Sequence, residues 1–88
     1  MIEISAKIVN KAGLHTRPAA TIVKIASKYS SRFFISKDGL RIDGKSIIGV
    51  MTLTAEMGSE LNLSFDGPDE QDMSREILDY INRGFDEQ

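Results

Sequence analysis

The residues best suited to chemistry in this 88-residue chain lie at positions 13–20, around its one histidine, His15. Thr16 is a favoured N-cap type, and Pro18 is tolerated in the first turn of a helix because amide groups there lack an intrahelical partner. The pattern therefore predicts a helix that begins at the histidine. Free N–H groups and the positive end of the macrodipole bind anions at such a helix end, where Arg17 adds guanidinium donors. A nucleophilic imidazole beside this anion site indicates phosphoryl transfer.

The alternative is that His15 is an ordinary surface or capping residue, which is the more common role of one histidine in a short chain. Several features favour the nucleophile: Gly13 permits an unusual backbone turn before His15, Arg17 follows closely, and no other pair of nucleophile and base stands out. One histidine without cysteines or clustered carboxylates offers too few ligands for a metal ion. Hydrolysis by a catalytic triad is equally unsupported.

Composition favours one domain over residues 1–88, because a chain of this length with 41% hydrophobic residues can build one modest core. Such a domain buries roughly 60–65% of its unfolded surface. The net charge of −2 argues against general nucleic-acid binding, which favours a basic excess. The chain has no cysteine, its first residues do not resemble a signal peptide, and its longest charge-free apolar run covers residues 46–55. Because a membrane helix needs roughly 20 apolar residues, we expect a cytoplasmic protein without membrane insertion.

Four strands are predicted from apolar residues that alternate with polar ones. They cover residues 2–8, Arg32–Lys37, Leu40–Asp43 and Glu60–Asp66. Asp38-Gly39 is a hairpin signal between the second and third strands. In the second strand, Phe33 and Ile35 are expected to face inward and Phe34 to lie on the outer face. The alternation therefore predicts a sheet with one buried side.

Apolar residues at helical spacing predict two amphipathic helices. The first starts in the region of Pro18 and carries Ala19, Ile22, Val23, Ala26 and Tyr29 on its apolar face. The last has its N-cap at Asp69, ends near Arg83 and Gly84, and carries Met73, Ile77, Tyr80 and Ile81 on its apolar face. Lys24 lies on the polar side of the first helix, where it is either solvated or available to an acidic partner.

A short helix predicted over residues 46–53 is apolar on nearly every side. On the helical wheel, Gly49, Val50 and Leu53 form one group and Ile47, Ile48 and Met51 form another. If the first group packs on the sheet, the second is an exposed apolar patch of the kind that often marks a docking site, and methionine suits a surface that meets several partners. The pattern leaves open the alternative that both groups are buried.

Ser46 stands at the start of this helix and is a favoured N-cap residue. A phosphate on Ser46 would gain from the helix N-terminus and would add roughly −1.5 to −2 charges to the docking surface. Capping and modification are compatible roles. Phosphorylation at Ser46 is therefore expected to change association with partners and to leave the local fold intact.

Two stretches of the chain resemble the HPr family, the histidine-containing phosphocarriers of the bacterial phosphoenolpyruvate:sugar phosphotransferase system. Residues 13–20, GLHTRPAA, are similar to the active-site signature of that family, and residues 44–53, GKSIIGVMTL, to its regulatory serine and the helix after it. The predicted order of elements favours an α+β fold with a four-stranded antiparallel sheet and three helices on one face. The resemblance implies this same fold, the open-faced β-sandwich with the order βαββαβα.

The resemblance implies a phosphoryl carrier and not an enzyme. His15 would accept a phosphoryl group at Nδ1 from phosphorylated enzyme I and pass it to sugar-specific enzyme IIA domains. The N–H groups of Thr16 and Arg17, with the Arg17 guanidinium, would hold its oxygens, and no metal or cofactor is needed. Ser46 would be phosphorylated by an HPr kinase/phosphorylase, and a transcriptional regulator is a further expected partner. The residues expected to contact partners are Thr16, Ala20, Lys24, Ile47, Ile48 and Met51, and the protein is expected to be a monomer.

Two positions depart from the family pattern. Ala12 stands where relatives commonly carry a small polar residue, and Thr54 replaces a glycine often found after the regulatory helix. Two related functions stay open: a regulatory HPr-like protein that acts mainly through the Ser46 surface, and a nitrogen-related HPr paralogue with the same chemistry and other partners. A split βαβ domain that binds a ligand or RNA is less favoured, because the predicted sheet lacks a basic aromatic platform.

Overall fold

The helices and strands follow one another in the predicted order in the computed structural model, which describes residues 1–87. The strands are β1 (Ile2–Lys7), β2 (Arg32–Lys37), β3 (Leu40–Asp43) and β4 (Glu60–Asp66). The α-helices are α1 (Thr16–Ala26), α2 (Ile47–Thr52) and α3 (Glu70–Asn82), and a short 3-10 turn at Gly84–Asp86 follows α3. The strands predicted from the alternation of apolar and polar residues thus match the observed strands, apart from residue 8, which lies beyond the end of β1.

The sheet has the strand order β1-β4-β2-β3, and each neighbouring pair is antiparallel. Leu63 of β4 lies between Ile4 of β1 and Ile35 of β2, and both Leu63 and Ile35 are fully buried on the face that the helices cover. The preceding residue, Asn62, points to the opposite face, where it accepts a hydrogen bond from Ser5 (3.1 Å). The predicted open-faced sheet with three helices on one face is confirmed.

The hydrophobic core lies between the sheet and the three helices. Phe33 of β2 and Phe65 of β4 stack with their ring centroids 4.8 Å apart. The helices contribute Ile22 from α1, Val50 from α2 and Ile77 from α3, all of them fully buried. Because apolar spacing alone places these residues on inward faces, the core is largely readable from the sequence.

Phe85 is a core residue that the apolar spacing does not predict. It lies beyond α3, yet it is buried, and its ring centroid is 5.2 Å from that of Tyr80. Gly84 and Phe85 have φ values of 67° and 58°, in the left-handed region that residues other than glycine rarely adopt. The chain therefore turns back after α3, and this turn brings Glu87 to the loop that precedes α1.

α1 ends at Ala26, so the predicted extension of this helix to Tyr29 is wrong. The amides of Lys28 and Tyr29 each donate to the carbonyl three residues back (3.1 Å), which closes a tight turn in place of another helical turn. Tyr29 still packs against the core, and its hydroxyl donates to the carboxylate of Glu76 on α3. This hydrogen bond, aided by desolvation, raises the pKa of Tyr29 to about 12. The hydroxyl therefore stays protonated throughout the neutral pH range.

Asp69 occupies the N-cap position of α3 as predicted, but its carboxylate does not cap the helix. It accepts hydrogen bonds from the amides of Ser30 and Ser31 (2.9 Å each) and from the Ser31 hydroxyl. These bonds, the one from the Ser31 hydroxyl most of all, favour the charged form and lower the pKa of Asp69 to about 2. Asp69 therefore ties the start of α3 to the turn after α1.

The segment after α2 adopts a backbone conformation that usually needs glycine. Ser46 and Leu53 flank the helix at its two caps, and Thr54 then has a φ of 44°. A β-branched residue in the left-handed region is strained. The departure from the family pattern at Thr54 therefore leaves the predicted end of the helix in place and adds backbone strain.

We expect Thr54→Gly to raise the free energy of unfolding by about 1 kcal/mol, because glycine adopts this φ without a Cβ clash. In a domain of this size, that gain corresponds to a rise in Tm of roughly 4–8 °C in a thermal melt. Thr52→Gly is the matched control. Thr52 lies in the last turn of α2 and donates to the Gly49 carbonyl (2.6 Å), so the same exchange there should lower Tm. Similar losses at both positions would contradict the strain at Thr54.

Candidate functional site

His15 lies at the N-cap of α1 with an extended backbone (φ −118°, ψ −169°), and its side chain is 41% exposed. The first backbone bond of the helix runs from the Ala19 amide to the His15 carbonyl (2.9 Å). The prediction that the helix begins at the histidine is confirmed, but the capping position belongs to His15 and not to Thr16. Thr16 is the first helical residue, and Pro18 falls in the first turn, where its missing N–H leaves no bond unmade.

The loop before His15 is held by the segment that follows α2. The Leu14 amide donates to the Ala55 carbonyl (2.7 Å), and the Gly13 amide donates to the Asn10 carbonyl (3.2 Å). Gly13 has a φ of 72°, and a Cβ at this position would lie 2.5 Å from the Ala55 carbonyl oxygen. Glycine alone fits so close an approach. The unusual turn predicted at Gly13 is confirmed.

The N-terminus of α1 presents donors to the solvent beside His15. The amides of Thr16 and Arg17 precede the first amide that can bond within the helix, and no side chain among residues 1–87 caps this end. The Arg17 side chain is exposed, and no acidic residue lies in the first turn to neutralise the positive end of the helix. A helix end of this kind can bind an anion. Its use together with the Arg17 guanidinium and the His15 imidazole stays a prediction.

Glu87 is a neighbour of His15 that no sequence pattern predicts. One carboxylate oxygen lies 2.7 Å from His15 Nε2, and the other accepts a hydrogen bond from Asn10 Nδ2 (2.7 Å). Asn10 is buried, and its Nδ2 also donates to the Gly13 carbonyl (2.9 Å). No motif marks Glu87, because its place depends on the turn at Gly84–Asp86 that follows the last predicted helix.

The carboxylate of Glu87 carries its charge at neutral pH. Desolvation acts to raise its pKa, but the hydrogen bonds to Asn10 and His15 and the electrostatic interactions with the His15 and Arg17 side chains outweigh that effect. The pKa of Glu87 therefore lies below its ordinary value. The site thus contains one negative charge, which faces the imidazole from the Nε2 side.

Ser46 caps α2 through its hydroxyl, which accepts a hydrogen bond from the Gly49 amide (3.2 Å). Val50 and Leu53 are buried against the core. The other predicted group is exposed, by 40% for Ile47, 75% for Ile48 and 45% for Met51. The prediction that α2 has one buried and one exposed apolar side is confirmed, and the alternative that both sides are buried is wrong. We call Ile47, Ile48 and Met51 the α2 patch.

The other residues predicted to contact partners lie on α1. Thr16, Ala20 and Lys24 follow one another at intervals of four residues and are all exposed, so they form one stripe along the helix. α1 and α2 pack against each other. The stripe and the α2 patch therefore belong to neighbouring helices, and their role in partner binding stays a prediction.

Neither a metal site nor a membrane span is found in the part of the chain that the structure describes. Residues 1–87 contain no cluster of three or more His, Cys, Asp and Glu side chains that could hold a metal ion. None of the helices among these residues is long and apolar enough to cross a membrane.

The fold and the site define a class of small α+β proteins with an open-faced sheet, which present one exposed histidine at a helix N-terminus. Comparison with known families assigns the chain more narrowly, because residues 2–83 match the family model described as the PTS HPr component phosphorylation site. The chain belongs to the HPr family of the phosphotransferase system. Members of this family carry phosphate between enzymes and are named as phosphocarriers, not as enzymes.

Relatives of known structure and known sequence agree with this assignment. The phosphocarrier protein HPr of Treponema pallidum is 46% identical over 70 residues, which cover 80% of each chain. The crystal structure of HPr-C-His from Thermoanaerobacter tengcongensis matches with a TM-score of 0.95 and 41% identity, over 100% of this chain and 99% of that one. Crh of Bacillus subtilis, described as a catabolite repression protein and a dimer with a swapped domain, matches with a TM-score of 0.76 and 34% identity, over 96% and 97% of the two chains.

Proposed function

We propose that this protein accepts a phosphoryl group on His15 Nδ1 from phosphorylated enzyme I, itself charged from phosphoenolpyruvate, and passes it to a histidine of a sugar-specific enzyme IIA domain. The observation that carries the proposal is the exposed imidazole of His15 beside the unpaired amides of Thr16 and Arg17 at the start of α1. On this proposal the protein is a monomeric carrier in the cytoplasm, and it needs no cofactor.

The transfer is an exchange of one bond to phosphorus for another. The Nδ1 lone pair attacks the phosphorus atom as the bond between phosphorus and enzyme I breaks, and the reverse exchange hands the group to enzyme IIA. Phosphoryl transfer is accelerated chiefly by positioning and by groups that stabilise charge on the equatorial oxygens. The amides of Thr16 and Arg17 and the Arg17 guanidinium supply those groups, and the amides need no rearrangement because α1 already orients them.

Incubation with enzyme I and phosphoenolpyruvate tests this function. The parent protein should gain one phosphoryl group by mass, and the group should be lost in acid because it is bonded to nitrogen. Heteronuclear NMR should locate it on Nδ1 of His15. A protein that gains no phosphate under these conditions, or one whose phosphate survives acid, would overturn the proposal.

A regulatory role like that of an HPr-like protein is the second candidate, and the similarity to Crh and the intact Ser46 cap favour it. In this role an HPr kinase/phosphorylase modifies Ser46, and a transcriptional regulator binds the α2 patch. Carrier chemistry and regulation are compatible. A nitrogen-related HPr paralogue is a further alternative, which would keep the carrier chemistry and act with different partners. Rapid labelling by enzyme I followed by transfer to an enzyme IIA domain would favour transport over regulation alone.

Ser46→Asp should slow labelling of His15 and leave stability within about 1 kcal/mol of the parent, because a negative charge at the start of α2 suits the helix dipole. An acidic partner would meet this charge at the edge of the α2 patch, so the rate should partly recover at higher salt. Labelling rates and thermal melts at two ionic strengths provide the measurement.

Two variants serve as controls for that prediction. Ser46→Asn keeps an uncharged capping side chain and should label like the parent. Ile47→Ala removes apolar contact area and should weaken the same encounter without sensitivity to salt. Parental labelling rates for Ser46→Asp with a greatly lowered Tm would make this surface purely structural.

A further inference from the structure

The contact between Glu87 and His15 determines which imidazole nitrogen carries the hydrogen. An ionised carboxylate only accepts hydrogen bonds, and the Glu87 oxygen lies 2.7 Å from Nε2. Nε2 is therefore the nitrogen that bears the hydrogen in the neutral ring, and the lone pair of Nδ1 is free. We propose that Glu87 is a positioning residue that holds His15 in the tautomer with Nδ1 as nucleophile, an inference that rests on the proposed carrier function.

Asn10 holds the Glu87 carboxylate in place. Both hydrogens of its Nδ2 are used, one toward the Gly13 carbonyl (2.9 Å) and one toward Glu87 (2.7 Å). A flipped amide would turn its oxygen toward these two acceptors, so the orientation of the buried Asn10 side chain is determined. Ala12, in the same loop, has no polar side-chain atom that could hold the ring. The contact on Nε2 comes instead from Glu87, which follows α3.

The same carboxylate also stabilises the ring during transfer. When Nδ1 bonds to phosphorus, the hydrogen stays on Nε2 and the imidazole becomes positively charged. Glu87 then faces that charge, and it continues to accept the Nε2 hydrogen until the phosphoryl group leaves. Carboxylates hold and stabilise catalytic imidazoles elsewhere by this arrangement. Glu87 lies on the Nε2 side of the ring, and Nδ1 is the nitrogen that attacks, so Glu87 acts through His15.

Glu87→Gln provides a sharp test, because it should reverse the tautomer. Asn10 Nδ2 requires an acceptor, so the carbonyl oxygen of the new amide would face Asn10 and its NH₂ group would face His15. A donor opposite Nε2 places the ring hydrogen on Nδ1 and blocks its lone pair. We expect nitrogen-15 NMR of the neutral imidazole to show hydrogen on Nε2 in the parent and a shift toward Nδ1 in E87Q.

The rate of phosphoryl uptake from enzyme I should follow the tautomer. E87Q should lower the maximal rate by about tenfold or more, less than the roughly 10⁴-fold loss for a buried triad carboxylate because water reaches this site. The concentration of protein that gives half the maximal rate should change little. In E87A, neither imidazole nitrogen faces a side chain from position 87, so no donor forces the hydrogen onto Nδ1. This variant should therefore slow transfer less than E87Q. E3Q, on the exposed face of the sheet, is the charge-matched control and should behave like the parent.

These measurements test the carrier function and the role of Glu87 separately. Hydrogen on Nδ1 in the parent protein would overturn the role of Glu87, and this measurement does not depend on whether any variant folds. A parent that takes up phosphate while E87Q and E3Q match it in rate and tautomer overturns the role of Glu87 alone. A parent that takes up no phosphate overturns the carrier function, and the transfer role of Glu87 with it.

Discussion

Replacement of His15 by alanine should leave a folded protein that accepts no phosphoryl group from enzyme I. The imidazole is exposed and makes no capping bond to α1, so we expect the loss of stability to stay within about 1 kcal/mol. The loss of uptake should be complete, because no second imidazole exists in the chain. Mass measurement after incubation with enzyme I and phosphoenolpyruvate gives the phosphoryl uptake, and a thermal melt gives the change in stability.

Lys11→Ala is the control for this experiment. Lys11 is exposed in the same loop, so its truncation disturbs the surroundings of His15 without removing the nucleophile. This variant should become fully labelled. Full labelling of His15→Ala would show that another residue accepts the phosphoryl group and would exclude His15 from the assigned role.

Arg17→Ala should slow phosphoryl uptake by about 100-fold, the usual cost of removing one preorganised donor from a developing oxyanion. The melting temperature should change little, because the Arg17 side chain is exposed and contributes nothing to the core. Arg17→Lys should recover only part of the rate, since lysine restores the charge but not the planar fork of donors. Stopped-flow or quench-flow labelling by enzyme I measures these differences.

Arg75→Ala is the matched arginine truncation. Arg75 lies on the exposed side of α3, and its ion pair with Asp72 is long (3.7 Å). Labelling of this variant should proceed at the parental rate. If Arg17→Ala were as fast as Arg75→Ala, the guanidinium of Arg17 would have no part in transfer.

The sheet and the core are predictable from the sequence because their signals are local. Alternation of apolar residues locates β4 at Glu60–Asp66 and burial of Leu63 and Phe65 follows from it. The same holds for α2, where the spacing of Val50 and Leu53 identifies the buried side and leaves Ile48 in solvent. These signals depend on the geometry of strands and helices, which repeats regardless of the rest of the fold.

The partners of the Asp69 and Glu87 carboxylates are not predictable from the sequence, because they depend on contacts between distant parts of the chain. Asp69 is a good capping residue, but the amides of Ser30 and Ser31 compete successfully for its carboxylate. The contact of Glu87 with His15 spans 72 positions and exists only because the chain reverses after α3. No local pattern encodes this contact, so the loop that carries His15 is predictable from the sequence and its carboxylate neighbour is not.

The hydrogen bond from Leu14 to Ala55 has a consequence for the order in which partners can bind. Ala55 lies three residues beyond α2, so the backbone that carries the α2 patch also anchors the loop that carries His15. This hydrogen bond links the position of His15 to that of the α2 patch. A phosphoryl donor protein and an acceptor protein that both contact His15 and the α2 patch therefore bind to the same surface. On the proposed function they exclude each other, and the carrier must dissociate from the first before it can serve the second. The rate of phosphoryl transfer through this protein would then be limited by the lifetimes of its complexes. Such a limit favours complexes that are specific and dissociate quickly.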